Sequence, residues 1–330
     1  MKSTTIYTIA EKANCSASTV SRVINNYPYV KKSTRTKILK LLQEYNYVPN
    51  ETARSLVNKA SRMIGIFISD IRTTHHTDAI YYLESEFSKN GYSCLIYNTG
   101  ADSENVAESM YQLSQRKVDG VVMIGSIYQN QPVKDAITAY ISDVPVVIIN
   151  GFLEGENIYG IISDEQQGIF NCIKLLADKG KKHPAIIVNN ITPSNLNKVE
   201  GYRTGLKTYL PNSEEVIVVN PSNHAIYEET VKLLKNKIKV DSIIYTEDFL
   251  ALIGLQALHD NHVRIPQDVA VIGVNNSRYS EISIPKLTSL DNMLYDTSIT
   301  AVRNMLSLLK GERVNRKMMI CSEIIKRQTT

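Results

Sequence analysis

The residues best placed to do chemistry near the start of the chain lie in TIAEKANCSASTVSRVINNYPYV, residues 8–30. Val20, Val23 and Ile24 recur at helical spacing and turn one way, whereas Ser18, Ser21, Arg22 and Asn25 share the opposite face. Short hydroxyls let a helix come close to a phosphate backbone, and a guanidinium can bridge guanine O6 and N7 with two hydrogen bonds. Two short helical patterns joined by a tight polar turn have helix-turn-helix spacing, so this face has the chemistry of a major-groove reader. The pattern alone also fits the solvated face of an ordinary helical hairpin. Catalytic constellations are lacking: the sequence contains no GxSxG, HExxH or Walker motif, and Gly65, Gly125 and Gly273 form no GxGxxG loop. His75-His76 and the run His259-Asp260-Asn261-His262 have no further ligands at metal spacing. No enzyme activity, cofactor or metal is expected.

The bulk properties agree with a divided molecule. A chain of 330 residues makes two or three compact units at roughly 100–200 residues each. It has no run of about 18 apolar residues, so no membrane span is expected. Its start, MKSTTIYTIAEKAN, has no apolar core of a secretory signal. Cys15, Cys94, Cys172 and Cys321 are far apart with no CxxC, which fits reduced thiols in the cytoplasm. Residues 1–60 hold ten Lys/Arg against three Asp/Glu, and residues 61–330 hold 27 against 30. A basic head on a slightly acidic body suits a polyanion partner, and a solvated basic terminus would have the same charge.

Three helices are expected in the head. Thr8 to Glu11 has capping-box spacing. A second helix starts at Ser16 or Ala17 and runs to about Asn25. Ser33 caps a third, with Ile38, Leu39, Leu41, Leu42 and Tyr45 as its apolar face. Pro49 stops that helix, and Asn50 would cap a short segment over 51–58. Beyond it the rhythm changes. MIGIFIS, SCLIYNTG, DGVVMIG, VPVVIIN, GIIS, PAIIVNN, EVIVVN, SIIYTE and VAVIGVN are apolar β-branched runs of strand length. Amphipathic segments at 78–90, 104–116, 133–141, 166–179, 198–209, 225–237 and 248–260 separate them. This alternation predicts doubly wound α/β structure in two lobes, split near Ile161–Asp164.

The pieces TVSRVIN, YVPN, ARSL and IGIFISDI stand in an order that resembles the N-terminus of LacI/GalR-type bacterial transcription regulators. The likeness continues through KVDGVVMIGS, VPVVIIN, KVEGYRTGL, FLALIGLQAL and IPQDVAVIGVNN, over nearly the whole chain. It implies a small all-α helix-turn-helix head plus an α/β periplasmic-binding-protein-like body of two doubly wound parallel-sheet lobes. The expected domains are a DNA-binding head at 1–48, a hinge helix and linker at 49–61, and an effector-binding and dimerisation domain at 62–330. Its first lobe would hold about 62–161 and 288–330, with crossovers, and its second about 162–287.

By position in that resemblance, Ala17, Ser18 and Arg22 would read base edges. Thr5, Ser16, Thr19, Ser21, Asn25, Tyr29 and Thr34 would hold phosphates, which fix register without reading sequence. Asn50, Ala53 and Leu56 match a hinge helix that enters the minor groove, with Leu56 as the wedge. Asn14 stands where such proteins commonly have Gly, and Asn tolerates a left-handed backbone. In the body, the resemblance marks Thr74, His75, His76, Asp164, Lys198, Asp248 and Asn275 as effector contacts. Lys198 replaces a usual Arg and Asn275 a usual Asp, which makes the pocket less negative and admits an acidic or phosphorylated sugar beside a neutral one.

The resemblance therefore implies a repressor of carbohydrate-utilisation genes. It would be a homodimer on a palindromic double-stranded operator, controlled by a sugar-like effector, and cytoplasmic, with the nucleoid as its site when bound. Linkage allows the effector to induce or to corepress. The chain ends at EIIKRQTT without a leucine heptad tail, so a dimer rather than a tetramer is expected. A catabolite regulator answering to a protein partner, a sugar-binding transport receptor and a carbohydrate-processing enzyme are the competing readings.

Overall fold

The computed structural model describes residues 5–24, 26–47, 61–219, 225–235 and 239–330. The expectations for Asn25, Asn50, Ala53, Leu56, the stop at Pro49 and the hinge segment 51–58 lie outside the described residues. By its internal contacts the chain divides into Met1–Ser61 and Arg62–Thr330.

The first unit contains α1 (Ile6–Ala13), α2 (Ala17–Ile24) and α3 (Lys32–Glu44). Thr8 does not cap α1. The cap is Thr5, and Thr5 and Thr8 satisfy each other's backbone N–H groups in a reciprocal box. Starting three residues earlier brings Ile6 onto the small core, where Ile9, Ala10, Ala13, Val20, Val23 and Ile38 are buried. Asn14 ends α1 at φ 53°, in the left-handed region expected of it. The third helix begins at Lys32, not after Ser33, and its N-cap, Lys31, makes no side-chain cap. Its buried side is narrower than expected: Leu39 is 47% exposed and Tyr45 lies at the surface under the Lys12 ammonium. Arg35 fixes the turn after α2 by donating to Asn26 Oδ1 at 2.7 Å and to the Tyr27 carbonyl.

The second unit carries two six-stranded sheets. The first-lobe strands are β1 (Met63–Ile68), β2 (Ser93–Asn98), β3 (Gly120–Ile124), β4 (Val146–Ile149), β5 (Ile158–Ser163) and β11 (Lys317–Ile320), in the order β11-β5-β4-β3-β1-β2. The second-lobe strands are β6 (Pro184–Val188), β7 (Ile217–Val219), β8 (Ser242–Tyr245), β9 (Ala270–Val274), β10 (Thr288–Asp291) and β12 (Glu323–Ile325), in the order β12-β10-β9-β8-β6-β7. All neighbours are parallel except β12, which runs antiparallel to β10. Strands β3, β4, β6, β8 and β9 are buried along their whole length, which is why they read as continuous apolar runs.

Helices cover both faces. Helix α4 (Thr74–Lys89) and α12 (Leu294–Leu309) pack on one face of the first sheet, and α5 (Ser103–Gln115) and α6 (Gln131–Tyr140) on the other. Helices α7 (Glu165–Asp178) and α8 (Pro193–Tyr209) cover one face of the second sheet, and α9 (Ile226–Leu234) and α10 (Asp248–Asp260) the other. A short α11 (Arg278–Ile282) follows β9. Among the described residues, no helix is long and apolar enough to cross a membrane.

The lobe assignment of the C-terminal part needs correction. The chain crosses between lobes three times: after β5, between β10 and α12, and between β11 and β12. Residues 288–291 belong to the second sheet, where Thr288–Leu290 pair with Ile272–Val274 and Leu290 fills that lobe's core. Residues 294–309, to which the sequence reading assigns no element, form α12 on the first lobe. The last strands, β11 and β12, lie one in each sheet.

Helices α7 and α8 cross closely because Gly201 faces the α7 backbone; a Cβ there would stand 2.2 Å from the Gln166 carbonyl oxygen. Backbone cannot yield as a side-chain tip can, so Gly201→Ala should destabilise the body by about 1–3 kcal/mol. Urea denaturation of the two proteins checks this.

Candidate functional site

The head and the body each present a candidate site. In the head, Ser18 and Arg22 stand one turn apart on the exposed side of α2, with Ala17 half-buried beside them. The opposite side, Val20 and Val23, is in the core. Ser16 Oγ lies 2.8 Å from Ser18 Oγ and 2.9 Å from Thr19 Oγ1, and it accepts from Thr19 N–H at 3.2 Å, so these hydroxyls form one chain at the start of α2. Tyr29 is 92% exposed. Thr34 and Ser21 are half-buried, and Thr5 is exposed with its hydroxyl engaged in the α1 cap. The structure thus brings Ser18 and Arg22 onto one exposed face, while Ala17 packs against the head's core at its edge.

In the body, the carboxyl ends of both sheets border a cleft. One part of it, about 620 Å³, is lined by His75, Tyr82, Asn275, Arg278, Asp291 and Tyr295 among others. That volume is within the range of small-molecule sites. Arg278 of α11 pairs with Asp78 of α4, so this ion pair joins the second lobe to the first across the cleft. A second link is the Ser194 N–H, which donates to Ser126 Oγ at 3.0 Å.

Thr74, His75 and His76 open α4. The His76 Nδ1 is held between the Thr73 hydroxyl at 2.6 Å and the Asp70 carbonyl at 2.7 Å. Burial lowers the His76 pKa, against the opposing effect of Asp70. Burial, then His76 and Lys198, push His75 down to about 3, so its ring is neutral at physiological pH. The His75 Nδ1 has no partner.

Lys198 is buried, with its ammonium 2.7 Å from Glu165 Oε1, 2.6 Å from Ser194 Oγ and 3.3 Å from Asn195 Oδ1. Glu165 Oε1 also accepts from Asn292 Nδ2 at 3.0 Å and Asn150 Nδ2 at 3.3 Å. Asn292 is itself a junction. Its amide donates to Asn275 Oδ1 at 3.0 Å, its carbonyl accepts from Ser163 Oγ at 2.6 Å, and its side-chain oxygen lies 3.4 Å from the Ser322 hydroxyl. Ser163, Asn292 and Ser322 stand at the three crossovers, so one residue ties all three.

Two of the expected effector carboxylates have other tasks. Asp164 caps α7 by accepting from Gln167 N–H at 3.1 Å. Asp248 accepts from Ser277 N–H at 2.6 Å, Ser277 Oγ at 2.8 Å and Ser289 Oγ at 2.6 Å, joining α10 to β10 and the β9–α11 turn. Burial raises its pKa to about 6 despite those bonds. In each case the carboxylate next door faces the polar cluster: Glu165, and Glu247, which accepts from Asn189 Nδ2 at 2.8 Å. Burial raises the Glu247 pKa, opposed by Asn189 and Lys198. Asn275, at φ 96°, has a backbone that L residues rarely adopt, and its side chain serves Asn292. Sequence reasoning missed Glu165, Glu247, Asn150 and Asn292; the one available signal was their position at the ends of apolar strand runs.

Comparisons with known proteins come to the same two parts. Residues 5–50 match the profile described as bacterial regulatory proteins, lacI family, and residues 173–330 match a periplasmic binding protein-like domain. An HTH-type transcriptional regulator of Lachnoclostridium phytofermentans is 34% identical over 98% of this chain and 99% of its own length. The lac repressor dimer solved with operator and the anti-inducer ONPF has a similar fold, with a TM-score of 0.90, 23% identity and 99% of both chains covered. The complex of the transcriptional regulator CelR with cellobiose gives 0.72 at 20% identity, over 99% of this chain and 100% of that one.

The buried pair can be tested for its energetic role. Removing one partner strands the other charge, so Lys198→Met should cost about 3–5 kcal/mol of body stability. Adding Glu165→Gln should recover part of that loss. Strictly additive losses in denaturant titrations would show that the two groups do not interact.

Proposed function

The chain belongs to the LacI family of bacterial regulatory proteins, DNA-binding regulators of transcription, and from that premise we propose that it represses carbohydrate-utilisation genes under the control of a sugar bound in the body. The observation that carries the DNA half is the face of α2, where Ser18 and Arg22 are exposed over a core made by Val20 and Val23. Ala17, Ser18 and Arg22 read base edges in the major groove, and the hydroxyls from Thr5 to Thr34, with Asn25 and Tyr29, hold phosphates. Two heads engage a palindromic operator as a two-fold dimer.

The domain limits proposed are 1–48 for the head, 49–61 for the hinge and 62–330 for the body; the division of contacts at Ser61 and Arg62 supports the last. In this reading Asn50, Ala53 and Leu56 enter the minor groove. The effector occupies the cleft. A cleft of about 620 Å³ bordered by amides, carboxylates and tyrosines suits a sugar. The CelR structure, solved with cellobiose, supports the same class of ligand. Ligand and DNA binding are the chain's whole activity, without turnover, and its place is the cytoplasm, on the nucleoid when bound to its operator.

Selection of bound sequences from random duplex DNA, at stated salt, with and without pooled neutral sugars, tests the reading. The expected result is a palindrome with half-site centres about one helical turn apart. Arg22→Ala should weaken binding by about 1–3 kcal/mol and relax one base position per half-site. Sequence-blind, salt-sensitive binding under both conditions would contradict the proposal.

A further inference from the structure

We propose that Glu165 makes the cleft selective for uncharged polyhydroxyl ligands, by taking up the ammonium that would otherwise hold an anion. The inference rests on the reading above that the cleft is the effector site. A lysine has three protons to give. Those of Lys198 meet three acceptors of the protein itself: Glu165 Oε1, Ser194 Oγ and Asn195 Oδ1. An arriving phosphate or carboxylate therefore finds no unused donor on this group.

The surrounding charge favours the same outcome. Glu247 lies close enough to Lys198 to feel its charge, so the inner cluster sets two carboxylates against one ammonium. His75 adds no positive charge, since burial holds its ring neutral, and burial also disfavours the charged form of His76. In the outer part of the cleft, Arg278 is paired with Asp78 and Glu281 faces the Arg327 guanidinium at 3.9 Å, which leaves Asp291 on the same lining as the surplus charge. Among the described residues, Asp291 accepts from the neutral donors Asn276 Nδ2 at 2.9 Å and Met293 N–H at 2.6 Å. An anion desolvated here would face an excess of negative charge, which is costly.

What the site does offer suits hydroxyl groups. Among the described residues, the His75 Nδ1, at the start of α4 on the cleft lining, is a buried polar atom with no hydrogen-bond partner. It can give or take a single hydrogen bond with a sugar hydroxyl. The resemblance, with Lys198 for a common Arg and Asn275 for a common Asp, leaves acidic and neutral sugars both open. The geometry favours the neutral ones, because Glu165 holds the Lys198 ammonium and Asn292 engages Asn275.

The test uses the full-length protein with D-glucose, cellobiose, glucose 6-phosphate, glucuronate and inorganic phosphate as probes, read by calorimetry and thermal shift. Wild-type protein should bind none of the three anions. Glu165→Gln should release the ammonium and bind inorganic phosphate at least about ten-fold more tightly than wild type, the scale of one charge-assisted hydrogen bond. The double variant Glu165→Gln/Lys198→Met should lose that gain. If Glu165→Gln does not fold, Glu165→Ser serves, since it leaves room for water around the ammonium. Preferential binding of glucose 6-phosphate or glucuronate by wild type, or no phosphate gain in the folded Glu165 variant, overturns the proposal. Should wild type bind no neutral sugar at all, the effector reading fails, while the phosphate response of the variant still decides the charge selectivity.

Discussion

The carboxylate of Glu165 is the point on which the arrangement of the body depends. It is 2% exposed, and a buried ion is tolerated only when counter-charge and donors surround it. Its donors come from three places that must hold their positions together: Asn150 at the end of a first-lobe strand, Lys198 on a second-lobe helix, and Asn292 on a crossover. Displacing either lobe strips a donor from a buried charge. A group of this kind favours discrete arrangements over gradual deformation, which is the property a two-state regulator needs.

That constraint bears on how a ligand in the cleft could act on the head. A ligand shifts an equilibrium only by the difference in its affinity for the two states. The polar groups of the cleft are largely bonded to one another and cross the lobe boundary at Asp78–Arg278 and Ser126–Ser194. A bound sugar would exchange some of these contacts for its own and so weight the lobe orientations differently. Asn292 then carries the difference to all three crossovers, since Ser163 and Ser322 are its partners on the other two.

Much of this was legible in the sequence, for definite reasons. The nine apolar runs are strands; five of them are covered on both faces along their whole length, while the edge strands β2 and β7 are partly exposed, and the amphipathic segments between the runs are helices because each has one face on a sheet. The inward and outward faces of α2 were readable because helical spacing fixes them. Other features were hidden. A buried strand carries no mark of which sheet it joins, so β10 went to the wrong lobe. Helix α12 buries the polar Thr297 and Ser298 beside the apolar Ala301, Val302 and Met305, so its inward face gave a weak apolar pattern. At the starts of α7 and α10, neighbouring carboxylates differ by about 100° of helical rotation. Residue type cannot tell which of Asp164 and Glu165, or of Glu247 and Asp248, turns toward the Lys198 cluster; cap geometry and serine partners decide it.

Hydrogen–deuterium exchange on the ligand-free protein, comparing wild type with Asn292→Ala, addresses the central role of this junction directly. If Asn292 fastens the crossovers, exchange should quicken at 161–164, 291–293 and 320–323, while strands β3 and β8 keep their protection. Unchanged exchange at the crossovers would contradict that role. So would acceleration spread evenly through both sheets, which would mark Asn292 as one more packing residue of the body.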